Sequence, residues 1–240
     1  MRIGVIVPSF DVTAMAARSC AAEAEGAGIH GVFAYDHLWP PGAPGLPAIA
    51  PFPLLGMIAA TTSHVALGTL VARIGLVPDV VLLGEFRTLN RLSGGRLIAG
   101  IGTGDRRSAA ENLAYGLGPG SAEARREAIR SVGAALVAEG VPVWVGAGAK
   151  TTNTIAREIG ATINVFGEAV ERVAELGRGG AVCWGGALGR GSVEAASRLR
   201  SLAAAGATWA VFFWPGSAAP IVGAARAAGI PLGRSPGSRP

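Results

Sequence analysis

The chain has 240 residues, 50% of them hydrophobic and only 15% charged, with 37 glycines, 15 prolines and 2 cysteines. That composition excludes a disordered chain, which needs low hydrophobicity and high charge, and a small disulfide scaffold. The net charge is +5, and 20 of the 21 basic residues are arginine, Lys150 being the lone lysine. The arginines are scattered and no basic run is interleaved with aromatics, so the charge argues for an anionic small ligand and against a nucleic-acid partner.

No uninterrupted apolar run reaches the ~18 residues of a membrane-spanning helix, so no membrane partner is expected. The opening MRIGVIVPSF reads as a first strand, since a signal peptide needs a longer apolar core and a small-residue cleavage site. Cys20 in an alanine-rich helix and Cys183 in a strand read as small core residues, and two lone thiols suit a reducing cytoplasm.

Short β-branched or aromatic runs bounded by Gly or Pro predict strands over 2–7, 31–35, 65–71, 96–101, 142–145, 161–165, 181–184 and 208–213. They are apolar on both faces, as buried parallel strands are. Helices are expected between them. One covers 11–28, one covers 80–92 with Asp79 as its cap, and one runs from a Ser121 cap to Glu139. Four more cover 152–158, 168–176, 192–205 and 218–228. About eight strand–helix units of ~30 residues match a single (β/α)8 (TIM) barrel over 1–228. An open doubly wound sheet is the runner-up, though it usually carries fewer strands. Residues 229–240, GIPLGRSPGSRP, read as a flexible tail.

In such a barrel the chemistry lies in the loops that follow the strands. Asp36 and His37 follow the second strand, and a histidine there can shuttle a proton near neutral pH. Gly102, Thr103, Gly104 and Asp105 follow the fourth, a turn that either requires positive φ or lets backbone approach a flat ligand. Gly146, Ala147, Gly148, Ala149, Lys150 and Thr151 follow the fifth. They form either a tight turn or a phosphate cradle at a helix N-terminus, but not a Walker loop. Trp39, Trp184 and Trp214 are either packing residues or walls for a flat ligand. No His/Cys/Asp grouping has metal-ligand spacing and no G-x-S-x-G occurs, so neither a metal centre nor hydrolase chemistry is expected.

Three stretches carry a family resemblance: AEAEGAGIHGVFAYDHLWP, HVALGTLVARIGLVPDVVLLGEFRTLNRLSGGRLIAGIGTGD and PVWVGAGAKTTNTIAREIGATINVF. In order and spacing, from Met1 to about Trp214, the chain resembles the bacterial luciferase-like family of flavin- or F420-dependent oxidoreductases. The resemblance implies a (β/α)8 barrel with coenzyme F420, or alternatively FMN, at its C-terminal mouth. It implies a non-proline cis peptide near Leu70–Val71 beside the ring, with Thr69 at the same strand end. It makes Gly146 to Thr151 the phosphate loop, His37 a catalytic histidine next to Asp36, and Asp105 a carboxylate proton donor. F420 is favoured because Gly-Thr-Gly-Asp matches the F420-dependent dehydrogenases. The expected activity is hydride transfer between F420 and a small-molecule substrate, with a separate flavin or F420 reductase as supplier. An FMN-dependent two-component monooxygenase and a non-catalytic flavin-binding protein are the alternatives. The segments 104–121 and 183–208 are short for the family, so the mouth is either open or closed by a second subunit in a homodimer.

Overall fold

Strands that are apolar on both faces need helices outside and one another's side chains inside, and a closed ring satisfies both. The computed structural model describes residues 1–10, 12–104, 108–118, 120–146 and 149–233. In chain order they run β1 (Arg2–Ile6), α1 (Ala14–Gly26), β2 (Gly31–Ala34), α2 (Pro51–Thr61), β3 (Ala66–Thr69), β4 (Ala72–Arg73), α3 (Asp79–Leu92) and β5 (Leu97–Gly102). There follow α4 (Ala109–Ala114), α5 (Ala122–Ala138), β6 (Val143–Gly146), α6 (Lys150–Glu158), β7 (Thr162–Phe166), α7 (Val170–Gly177), β8 (Val182–Gly186), α8 (Gly191–Ala204), β9 (Trp209–Phe213) and α9 (Ala219–Ala228).

All pairings are parallel. β1 lies between β2 and β9, neighbours run on through β8, β7, β6 and β5, and β5 pairs back to β3 to close the ring. β3 and β4 are successive halves of one barrel strand, since both pair with β5 and the cis Leu70–Val71 bond lies between them. The architecture is therefore an eight-stranded (β/α)8 barrel, and the open-sheet alternative is excluded by the β3–β5 pairing.

Alternate residues point inward. Ile6, Phe33, Ile98, Trp144, Cys183 and Trp209 belong to one buried cluster inside the ring, while their neighbours pack under the helices. Phe33 stacks on Trp144 at 4.8 Å, and Trp209 meets both edge-on at 5.8 and 5.4 Å. So much ring volume fits only because other inward positions are glycine. A Cβ on Gly4 would lie 2.7 Å from the Phe33 ring, and one on Gly31 would lie 2.9 Å from Trp209.

The element boundaries differ from the sequence reading in instructive places. α2 was not expected: its PFPLLGMIAAT is apolar nearly all round, with prolines in the first turn, so no stripe marks it. α4 is too short to show a period. Pro78, not Asp79, stands at the cap of α3, and Asp79 is the first helical residue. The Ser121 cap is present, with its hydroxyl accepting from the Ala124 N–H at 2.9 Å. α6 begins at Lys150, two residues before the expected start. The tail expected to be flexible from Gly229 stays docked as far as Gly233. Ile230 and Leu232 pack on the core and the Gly233 N–H donates to the Gly28 carbonyl at 2.7 Å. Residues 234–240 lie outside the described residues. Both cysteines are buried and free, as expected.

Gly4→Ala should cost about 1–3 kcal/mol of stability, because the added methyl meets a buried ring with nowhere to move. Urea unfolding checks this. A stability unchanged within error would mean that the interior is looser than the packing described here.

Candidate active site

At the mouth the inward positions divide into two halves. On one side β5 and β6 end in Gly102 and Gly146. A Cβ on either would lie 2.6 or 3.1 Å from the Val71 side chain, so Val71 occupies the space that their side chains would take. On the other side stand rings. Tyr35 lies 6.3 Å from Phe166 and 6.5 Å from Phe213, and those two meet edge-on at 5.5 Å. Phe10 stacks on Tyr35 at 5.8 Å, and His37 lies edge-on to both at 6.0 Å.

His37 is tied to a residue that sequence reasoning missed. Its Nδ1 lies 2.7 Å from Glu111 Oε1, and the other carboxylate oxygen accepts the Leu38 N–H at 3.0 Å. The Arg73 guanidinium sits 3.1 Å from Glu111 Oε2 and donates to Asn112 Oδ1 at 3.1 Å. Glu111 and Arg73 are buried, at 1% and 4% exposure, whereas the His37 side chain is 19% exposed. Glu111 sits in the first turn of α4, where the helix dipole favours a carboxylate. With a carboxylate on Nδ1, that nitrogen carries the proton and Nε2 is the basic one; the tautomer is assigned from the partner. The Arg73 backbone N–H donates to Asp36 Oδ2 at 2.8 Å. Burial pushes the Asp36 carboxyl above the usual range, and the Arg73 N–H and charge oppose it. Glu85 is raised as well, by burial and by the Asp36 charge.

The remaining expected site residues fall in several places. Leu70 is buried in the inward cluster and Val71 packs against it. Thr69 is fully buried and its hydroxyl donates to the Gly100 carbonyl at 2.6 Å, bracing the strand end. Thr103 donates to the Gly104 carbonyl at 3.3 Å, and Gly104 takes φ +73°. Lys150 and Thr151 are exposed in the first turn of α6, whose N-terminus has no side-chain cap. Asp105, Ala147 and Gly148 lie outside the described residues. Trp184 is buried beneath the helices, with its Nε1–H on the Glu168 carbonyl, and Trp214 packs on the same outer core, so neither walls the mouth. Trp39 borders a cavity of about 510 Å³ with Pro41, Gly42, Pro44 and Ala110, one residue from His37–Leu38 on one side and from Glu111 on the other. Among the described residues no His/Cys/Asp/Glu group could hold a metal, and no helix is long and apolar enough to cross a membrane.

Glu111→Ala would leave the Arg73 guanidinium buried without its counter-charge, and should cost about 3–5 kcal/mol in denaturant unfolding, with Glu111→Gln costing less. Asp36 gives a pH signature. A carboxyl raised by folding binds more protons in the folded than in the unfolded chain between the two pKa values. It therefore makes stability fall as pH rises through that window, just above the ordinary carboxylate range. Asp36→Asn should flatten this fall in urea melts taken from roughly pH 4 to 7; an unchanged slope would contradict the assignment.

Comparison with known proteins agrees with the fold. Residues 1–136 match the family model for luciferase-like monooxygenases. An F420-dependent glucose-6-phosphate dehydrogenase of Nakamurella multipartita is 39% identical over 90 residues, 35% of this chain and 25% of that protein. The matched stretch thus spans a quarter of that relative's length. The fold is shared with an F420-dependent secondary alcohol dehydrogenase in complex with an F420–acetone adduct. That likeness has a TM-score of 0.75 at 13% identity and covers 88% of this chain and 92% of that one. It is also shared with the coenzyme F420-dependent tetrahydromethanopterin reductase of Methanopyrus kandleri, at TM-score 0.75 and 14% identity over 95% and 98% of the two chains. With more than half its length matched by the family model and a closed barrel of the same build, this chain belongs to the luciferase-like monooxygenase family.

Proposed function

We propose that the chain is an oxidoreductase that passes a hydride between coenzyme F420 and an organic substrate. The observation that carries this reading is a partly exposed histidine after the second barrel strand, His37, held by the buried Glu111 carboxylate. The residues present fit the cofactor. Gly102 and Gly146 end their strands without side chains beside Val71, whose side chain takes the space a Cβ would need, and the uncapped start of α6 offers backbone N–H groups, Lys150 and Thr151 to a phosphate. When bound, the deazaflavin supplies the hydride chemistry, and the protein aligns and shields it.

In the substrate-oxidising direction, His37 takes the proton of the reacting hydroxyl at Nε2, and in the opposite direction it returns one. Glu111 holds the ring in the tautomer that leaves Nε2 basic and stabilises the imidazolium formed. Arg73 fixes Glu111 from behind. Asp105, at the end of the Gly-Thr-Gly turn, is a second candidate for proton exchange. F420 is preferred to FMN because the named curated relatives depend on it and because Gly-Thr-Gly-Asp fits the dehydrogenase pattern. The FMN-dependent monooxygenase is the second reading, supported by the family's name. For substrate reduction, and on the monooxygenase reading, a separate reductase supplies the reduced cofactor in the cytoplasm, where Cys20 and Cys183 stay reduced; for substrate oxidation a separate enzyme that consumes reduced F420 reoxidises it.

Titration of the apoprotein with F420 and with FMN, followed by cofactor fluorescence, separates the two. Tight F420 binding is expected; micromolar or better FMN binding with none for F420 would overturn the choice. His37→Ala should lower kcat/KM by ~10²–10⁴-fold on any substrate found, while the F420 Kd stays within a few-fold. Equal turnover in the variant would favour a binding protein without this chemistry.

A further inference from the structure

Deeper in the barrel every inward ring is buried, but at the mouth Phe166 and Phe213 stay 43% and 45% exposed. They are not stray surface residues. Phe166 ends β7 and Phe213 ends β9, both at inward-facing positions. Gly185 on β8 makes the room for Phe166: a Cβ there would lie 2.6 Å from its ring. Tyr35 joins them, and Phe10 with His37 extends the wall toward the proton-transfer group. The wall therefore runs from Phe166 and Phe213 through Tyr35 and Phe10 to the His37 ring.

Its polarity is as telling as its shape. Among the described residues nearby, Arg73 and Glu111 are buried against each other, and Asp36 holds the Arg73 N–H. Lys150 belongs to the glycine half, at the start of α6. The cavity lined by Trp39, two residues along the chain from His37, is walled otherwise by Pro41, Gly42, Pro44 and Ala110.

We propose that this aromatic half of the mouth is the substrate seat, and that the substrate is an uncharged, planar, ring-bearing alcohol or ketone rather than a sugar phosphate. The proposal rests on the oxidoreductase reading above for the word substrate, but not for the binding surface. A flat ring on Phe166 and Phe213 would lie across the mouth from the Gly102–Gly146 face, with its oxygen toward His37. In the oxidising direction the carbinol C–H hydride passes to F420 and the hydroxyl proton to His37, giving the ketone and reduced cofactor.

The test uses 1-(2-naphthyl)ethanol and 2-acetonaphthone as probes, with glucose 6-phosphate and acetone as counter-probes. Binding of each is measured by calorimetry with and without F420, and F420 affinity is measured separately by its fluorescence. Phe166→Ala and Phe213→Ala should each weaken naphthyl binding by roughly 2- to 10-fold, the size of one aromatic pairing, with the F420 Kd unchanged within twofold. Phe166→Leu and Phe213→Leu, which keep an apolar side chain, should reproduce most of that loss with an unaltered melting temperature. Naphthyl binding unaffected by all four variants would overturn the seat. So would a parallel loss of F420 affinity, which would make the wall the cofactor's floor, or tighter binding of glucose 6-phosphate than of either naphthyl probe. If the wild type takes the naphthyl compounds through these rings but no F420, the cofactor reading falls and the seat stands. If it takes F420 but no naphthyl compound, the reverse holds.

Discussion

The volume inside an eight-stranded ring is the constraint on which the structure turns. Each layer of inward side chains shares one fixed space, so a large ring from one strand requires nothing at all from another. Phe33, Trp144 and Trp209 fill the middle because Gly4 and Gly31 have no side chains to compete. The same rule at the mouth produces two unlike halves. Gly102 and Gly146 yield their space to Val71, and Gly185 yields its space to Phe166. The glycines that look like turn formers in the sequence are thus also packing residues, from the barrel interior up to its rim.

Electrostatics ties these halves to one reactive group. Glu111 bonds His37, accepts the Leu38 N–H and forms an ion pair with Arg73, so one buried carboxylate joins the loop after β2, the end of β4 and the helix after β5. A charge so deeply placed is stable only when every lone pair has a partner. Removing any one member would therefore disturb the position of the others, and His37 owes its orientation to a residue 74 positions away in the chain.

What the sequence makes legible follows from the range of the forces involved. The strands are readable because two-sided burial demands a continuous apolar run, and Gly or Pro punctuates each. His37 is readable because it follows a strand directly. The cis bond at Leu70–Val71 stands where the family resemblance puts it, though no local feature announces it. Glu111 is not readable: it sits among alanines in a six-residue helix without a stripe, and its partners come from two other segments. Arg73 looks like any other of the scattered arginines until folding buries it. The wall is hidden in the sequence for a related reason. Tryptophans are the conspicuous rings, yet strand alternation sends Trp184 outward and Phe166 and Phe213 inward. One register step decides whether a ring belongs to the core or to the site.

The two halves also differ in what evolution can change without loss. A face made of backbone and absent side chains is insensitive to most substitutions elsewhere, but tolerates almost none at Gly102 and Gly146, where any Cβ meets Val71. A wall made of Phe10, Tyr35, Phe166 and Phe213 can be resized one ring at a time, since two of its members are nearly half open and carry little of the fold. The glycine face can therefore stay fixed while the opposite face is resized. His37 stands where the wall and the Glu111 charge network meet, so its ring is held in place while the shape beside it varies.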